Sequence, residues 1–254
     1  MKRYPTDLSD NQWQFIKKVL QLDDRKRKHN LHSIWNAIQY LVKTGCQWRM
    51  LPVNFAKWQL VYYYYKKWSD LEQFDLLLSK LREHVRLKRG QNIEASLGIL
   101  DSQSVRWGNN MALNSYDGNK KVKGIKRHVI VDKNGFLVAV MVTVAHIHDS
   151  KAVMLLMRVL KDMLTGIKVI IADGGYRGEI AEQVKKKFGY MIQVVMRSDD
   201  TKTGFKPVHK RWVVERTFSW FDNYRRLCRN YELLLETSEN MTKLAAIKLL
   251  LNKI

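Results

Sequence analysis

Residues 125–173 read IKRHVIVDKNGFLVAVMVTVAHIHDSKAVMLLMRVLKDMLTGIKVIIAD. Residues 127–132 and 136–144 are β-rich runs joined by Lys133-Asn134-Gly135, and Asn-Gly between apolar runs is a strong hairpin signal. Asp149 or Ser150 can cap a helix running to about residue 164. Residues 167–172 form a short, continuously apolar strand of the buried type that closes on Asp173. Upstream, the apolar run at 97–100 leads into Asp101. Downstream, 177–188 reads as a helix, 191–196 as a strand, and 208–235 as mainly helical. The order is strand, strand, strand, helix, strand, helix, strand, helix. A hairpin followed by αβ units makes a mixed sheet with helices on both faces.

That order matches an α/β, ribonuclease-H-like fold, expected over residues 96–254. Residues 1–95 read differently. Ser9 can cap a helix carrying Trp13, Ile16, Val19 and Leu20, which ends near the basic stretch DDRKRKHN at 23–30. Leu31, Ile34, Trp35, Ile38, Leu41 and Val42 mark a second helix that Gly45 can stop. A connector containing Pro52 leads to helices near 55–68 and 70–88. Short helices with tight connections and basic flanks suit an all-helical, helix-turn-helix-like DNA-binding domain; the plainer alternative is a bundle whose charges face water. Tyr62 to Tyr65 are consecutive, so some of them must face outward.

The 254 residues carry 45 lysines and arginines against 24 acids, a formal charge of +21. Residues 1–97 hold 18 basic and 9 acidic side chains, so the excess is spread over both parts. Such a balance points to a polyanion, nucleic acid first. No long apolar run suggests a membrane span, and the start lacks an apolar leader, so an intracellular protein is expected. Cys46 and Cys228 make no disulfide scaffold or zinc knuckle, and read as buried small residues.

Against that basic background, Asp101 and Asp173 each follow an apolar strand, the usual place for sites in open α/β sheets. Glu215, in KRWVVERTFSW at 210–220, is a third carboxylate whose spacing from Trp212 and Ser219 lets it point inward. Its alternative is a surface ion pair with Arg211, four residues earlier. Three carboxylates of this kind suit an oxygen cage for Mg²⁺ acting on a phosphodiester.

These segments resemble bacterial insertion-sequence transposases of the DDE type, of the insertion-sequence-five family. The resemblance rests on LSDNQW (8–13), LVKTGCQWRMLPVNFAKWQLVYYYYKKW (41–68), ILDSQSV (99–105), YDGNKKVKGIKRHVIVDKNG (116–135), AHIHDS (145–150), IIADGGYRG (170–178) and RWVVERTFSWFDNYRRLCRNYE (211–232), in that order. Ala56 and Leu60 depart from the proline and threonine common there. The resemblance implies a DNA transposase in which Asp101, Asp173 and Glu215 are the catalytic and metal-binding carboxylates. It implies Mg²⁺ as cofactor, with Mn²⁺ as substitute. Its partners would be double-stranded DNA (inverted-repeat ends and target), with a homodimer or larger assembly on DNA, no membrane, and a cytoplasmic, nucleoid-associated location. Two other readings use the same features: a DNA-binding repressor derived from such an enzyme, and a nuclease of the same fold that cuts RNA in hybrids.

Candidate phosphate contacts are Lys120, Lys121, Lys123, Lys126 and Arg127, then Tyr176 and Arg177, then Arg211, Arg216, Arg225 and Arg226 on one long final helix. Alternation along a strand puts Arg127 and His128 on opposite faces. His148 and Asp149 are candidates for supporting the carboxylates; alternatively Asp149 is a helix cap and His148 a local hydrogen-bonding group. Trp107, Trp212 and Trp220 read as packing residues.

Overall fold

At Ser9 the chain enters its first helix through a reciprocal cap. Ser9 Oγ accepts from the Gln12 N–H (3.3 Å), while Gln12 Oε1 accepts from the Ser9 N–H (3.2 Å). The computed structural model describes residues 4–23, 28–109, 111–163, 165–195 and 211–254. Part of the basic stretch at 23–30 therefore lies outside the described residues, as do Met196 and the expected start of the last helix at Val208. The chain divides into two compact units: Met1–Gln91 with Phe221–Arg229 and Asn240–Ile254, and Asn92–Trp220 with Asn230–Glu239.

The first unit is helical. It contains α1 (Asp10–Val19), α2 (Leu31–Thr44), α3 (Trp58–Asp70) and α4 (Gln73–Lys88). Asn30 caps α2, and Gly45, at φ +71°, ends it in the left-handed conformation that favours glycine. Trp35 is fully buried, with the rings of Trp68 and Phe74 at 5.0 and 6.0 Å. The tyrosine run divides as helical geometry requires: Tyr65 is buried, Tyr62 and Tyr63 are exposed.

The second unit is built on β1 (Leu97–Arg106), β2 (Ser115–Asp117), β3 (Val122–Val131), β4 (Leu137–Val144), β5 (Val169–Ala172) and β6 (Met191–Val194), with α5 (Asp149–Asp162) and α6 (Glu179–Phe188). The sheet runs β2-β3-β1-β5-β6, with β4 also on β3. β1, β3 and β4 are antiparallel neighbours, whereas β5 and β6 continue parallel to β1. This is the ribonuclease-H-like mixed sheet. At the β3–β4 turn the buried Asp132 carboxylate accepts from the Asn134 and Phe136 N–H groups, and Gly135 takes φ +83°. Leu100, Ile130, Ala139, Ile170 and Ala172 pack one sheet face against Leu156, Met157 and Leu160 of α5 and Val184 of α6.

Three expectations change here. β1 does not end at Asp101. It continues to Arg106 because its polar second half pairs residue by residue with β3, from Ser102↔His128 to Arg106↔Gly124. The long terminal helix is also broken. α7 (Trp212–Asp222) stops because Tyr224 turns extended (φ −107°, ψ 105°) to bury its ring. A short α8 (Arg225–Cys228) and then α9 (Leu235–Leu251) follow. Cys228 at the end of α8 is exposed and Cys46 half-buried; both are free thiols, not the buried residues expected.

Gly124 is where β1, β2 and β3 meet. A Cβ there would stand 2.0 Å from the Val105 carbonyl oxygen, which belongs to the ladder and cannot move away. Gly124→Ala is expected to destabilise the chain by about 2 kcal/mol or more, read as a lower midpoint in denaturant unfolding; an unchanged midpoint would refute this packing.

Candidate functional site

The parallel register Ile99↔Ile171 sets the site. Two residues on, Asp101 and Asp173 lie at the same level, on the same face, of neighbouring strand paths. β5 ends at Ala172, so Asp173 stands at its open end. There its Oδ1 accepts from the Gly175 N–H (3.0 Å) and caps the short turn Gly174–Tyr176. Asp101 Oδ1 accepts from the Ser102 N–H at 2.7 Å.

Arg211 joins the pair. Its guanidinium donates to Asp101 Oδ2 at 3.2 Å and lies 3.8 Å from Asp173 Oδ2. Arg211 and Asp101 are largely buried, whereas the Asp173 side chain keeps 40% of its surface exposed. Burial pushes the Asp101 carboxyl above its ordinary value, and the Ser102 N–H and Arg211 oppose that rise. Burial likewise pushes the Tyr176 phenol up, reinforced by Asp149, Asp101 and Asp173.

Glu215 lies one turn beyond Arg211 on α7 and is exposed, not turned inward as its spacing suggested. Among the described residues no three metal-ligating side chains form a cluster. Nor does Arg211 serve as its ion-pair partner in the contacts observed; the arginine faces the aspartates. Trp212 is 48% exposed and is not a core residue. The Arg216 guanidinium lies over Trp212 and Trp220, at 4.6 and 4.7 Å.

The opposite sheet face carries a buried polar layer. Lys126 Nζ lies 3.3 Å from both Asp117 Oδ2 and Asp149 Oδ1, and donates to the Ile147 carbonyl. Ser104 donates to Asp117 (2.7 Å), and Ser102 Oγ donates to Asp149 Oδ2 (3.2 Å). Burial works to raise the Asp117 carboxyl, but the Ser104 hydroxyl, the Lys120 N–H and Lys126 outweigh it, so the net shift is downward. His128 is buried beside Thr143, its Nε2 3.0 Å from the hydroxyl. Burial pulls its pKa down to about 4; Asp149 opposes that shift, and Lys126 and Lys120 add to it. Because Ser102 follows Asp101 directly, this layer backs the aspartate pair through the strand itself.

Several expected phosphate contacts are therefore placed elsewhere. Lys126 and Arg127 are 4% and 2% exposed; the first is held by two carboxylates and the second donates to Gln103. Tyr176 is buried, and Arg226 is buried with its guanidinium on the Cys46 carbonyl. Arg211 is occupied by the aspartates. Lys120, Lys121, Lys123, Arg177 and Arg225 are exposed, although Lys120 Nζ also reaches the Ser102 carbonyl and Lys123 lies over the Trp107 ring. His148, not Asp149, is the N-cap of α5; its Nδ1 accepts from the Ser150 N–H. The residues that the sequence did not reveal are Arg211 as a bridge, Ser102 and Asp117 as lysine-binding groups, and Ser104 as the donor to Asp117. The available signal was a run of four polar residues, D-S-Q-S at 101–104, between apolar Leu100 and Val105.

Lys126→Met would strand two carboxylates in the sheet, and a loss of about 3–5 kcal/mol is expected on unfolding; a near-neutral effect would show that the lysine is not buried among acids. His128 binds fewer protons folded than unfolded between its folded value of about 4 and its unfolded value near 6.5. Its contribution to stability is thus present above the unfolded value and lost as pH falls towards about 4. Melting curves across that window should drop for the parent protein and flatten for His128→Asn; parallel curves would contradict the assignment.

Residues 93–249, more than half of the chain, match the family model described as "Transposase DDE domain". Residues 8–78 match "Putative transposase of IS4/5 family". The chain is 30% identical over 116 residues to "Putative transposase for insertion sequence element IS402" of Burkholderia cepacia, covering 43% of this chain and 54% of that protein. The matched part thus spans about half the length of that relative. Among solved structures it is similar to the catalytic core domain of BIV integrase (18% identity, 60% of this chain and 82% of that one, TM-score 0.37). It is also similar to the Drosophila P element transposase strand transfer complex (13% identity, 94% and 60%, TM-score 0.31). The match that begins just before β1 and ends within α9 takes in both aspartates and the helix that holds Arg211 against them, and by it the chain belongs to the DDE transposase family.

Proposed function

We propose that this chain is a DNA transposase that binds the terminal inverted repeats of its element, hydrolyses the phosphodiester at each end, and joins the freed 3′-hydroxyls to target DNA. The observation that carries the proposal is the alignment of Asp101 with Asp173 around a shared cation, the Arg211 guanidinium. Two hard carboxylate donors that already demand a positive partner suit a divalent metal. Mg²⁺, with Mn²⁺ as substitute, would be held by Asp101 and Asp173, with Glu215 of α7 as the third carboxylate. When bound it stabilises negative charge developing on phosphate oxygens.

The chain's own residues do the rest. Asp173, the more exposed aspartate, faces the incoming backbone. Asp101, fixed by the Ser102 N–H, keeps its oxygens in place without reorganising. Arg211 neutralises the pair and anchors the start of α7, and with it the position of Glu215. Lys120, Lys121, Lys123 and Arg177 are the exposed cations that draw phosphates to this unit. In the first step a water oxygen bonds to phosphorus and loses its proton while the 3′-oxygen leaves and takes up a proton; in the second that 3′-hydroxyl loses its proton as it bonds to a target phosphorus, and the target strand's own 3′-oxygen leaves and is protonated. The helical unit, with its own basic surface, supplies end recognition, and two ends imply at least two copies on DNA. We place this activity in the cytoplasm; among the described residues no helix is long and apolar enough to cross a membrane.

The test is cleavage of a labelled duplex carrying the repeat found beside the chain's own gene, in Mg²⁺. Asp101→Asn, Asp173→Asn and Glu215→Gln should each cut activity by more than the ~10–100-fold that losing an outer partner of a metal ligand costs, with repeat binding retained. Tight binding without cleavage by the parent protein would favour a DNA-binding derivative. Cleavage of RNA in hybrids without end joining would favour a nuclease.

A further inference from the structure

Acids are absent from one long stretch of the sequence. Residues 25–69 hold nine lysines and arginines and no aspartate or glutamate, although 24 of the 254 residues are acids. A stretch without negative charge has nothing of its own to repel a polyanion. α3 and the connector before it lie within it.

α3 has one face in the core and one in solvent. Val61, Tyr65 and Trp68 are buried, while Gln59, Tyr62, Tyr63 and Lys66 are exposed at the three- and four-residue spacing of the opposite face. Both exposed tyrosine rings are supported from the side. Tyr62 meets the Trp48 ring edge-on at 5.1 Å, and Tyr63 meets Tyr64 at 5.3 Å. A supported phenol offers contact area and a hydroxyl at little cost in entropy. Nearby, Arg49 lies 5.5 Å over the Trp58 ring, and Lys57 is exposed immediately before the helix.

Acids appear at the C-terminal end of α3. Asp70 pairs with Lys66 at 2.6 Å, Glu72 follows the helix, and Asp23 shares a recess with Tyr64 and Lys67. The first half of α3 and its connector are thus the positive end. The neighbouring helices present other surfaces. α4 turns Leu76, Lys80, His84 and Leu87 outward, with Lys80 tied to Glu83 at 2.8 Å, and α1 opens on Asp10. α2 is buried along most of its length. Leu71 and Glu72 alone join α3 to α4. In a helix-turn-helix a short turn of that kind precedes the helix that reads DNA, which would give the role to α4. Charge and the exposed polar face give it to α3.

We infer that α3, by its N-terminal half, is the helix that enters the major groove of the repeat DNA. Gln59 takes an adenine edge, Tyr62 and Tyr63 reach the sugar-phosphate backbone, and Arg49 and Lys57 hold phosphates beside the groove. A glutamine amide matches adenine N6 and N7 with two hydrogen bonds, whereas tyrosine hydroxyls and cations serve phosphates of any sequence. The major groove, about 12 Å wide, admits one α-helix. This rests on the DNA-binding reading above.

The test measures binding of the full chain, in EDTA so that nothing is cut, to the repeat duplex and to a scrambled duplex of equal length. Gln59→Ala removes only an exposed side chain. It should weaken repeat binding about tenfold or more and leave scrambled binding unchanged. Replacing single adenines by 7-deazaadenine should weaken the parent chain at one position that no longer matters in Gln59→Ala. Arg49→Gln and Lys57→Gln should weaken both duplexes alike and lower the salt slope by about one each. Lys80→Gln on α4 should leave the ratio of the two affinities unchanged. Repeat binding unchanged in Gln59→Ala and Tyr63→Ala, or a preference lost in Lys80→Gln instead, would overturn the inference and leave the transposase reading standing. Equal parent affinity for the two duplexes would overturn it as well. So would a dimer that dissociates on sedimentation of Tyr63→Ala with DNA binding intact, which would assign the face to a second copy. A parent chain that binds neither duplex would overturn both readings.

Discussion

Two carboxylates at the same level of neighbouring strands repel, and unit charges 4 Å apart near a protein surface interact by about 4 kcal/mol. The register of β1 on β5 imposes that repulsion on Asp101 and Asp173, and the Arg211 guanidinium relieves it. Everything at the site follows from this three-body contact. It explains why a largely buried arginine is tolerated and why Asp101 is held in one orientation. It also fixes the start of the helix that carries Glu215. The open end of β5 leaves Asp173 half in solvent, so the pair has an approach for a polyanion.

The sheet behind that pair is held by charge as well as by apolar packing. Lys126 between Asp117 and Asp149 is a buried ionic layer, and such layers cost desolvation that only complete hydrogen bonding offsets. Here Ser102, Ser104 and the Ile147 carbonyl supply hydrogen bonds, and Asp149 Oδ1 is met by the Lys126 charge at 3.3 Å. The basic run at 120–128 therefore divides in two. Its first half stays exposed and carries the surface charge. Its second half enters β3 and is consumed by the fold. A sequence rich in lysine overstates how many of its cations are available to DNA.

Local chemistry was legible in advance and pairing was not. The Ser9 cap, Gly45 stop and Asn134-Gly135 turn act over a few residues, and each is where the residues imply. The strand order was also readable, because a hairpin and αβ units leave few arrangements. The extension of β1 through Ser102–Gln103–Ser104 was hidden, since its polar side chains find partners on β3 and α5 that lie far along the chain. The break at Tyr224 was hidden for a similar reason: helical spacing continues through it, and only burial of its ring pulls the backbone out. Asp101 and Asp173 could be picked out by their strands, but Arg211 as their bridge needed the register, and the orientation of Glu215 needed the helix in place.

The most direct measurement is anomalous diffraction from crystals of the DNA-bound chain soaked in Mn²⁺. A manganese peak shared by the Asp101 and Asp173 carboxylates is expected. A chain that binds repeat DNA, yet shows no peak at that pair or shows one only elsewhere, would contradict the claim that the two aspartates form one metal-binding reaction centre.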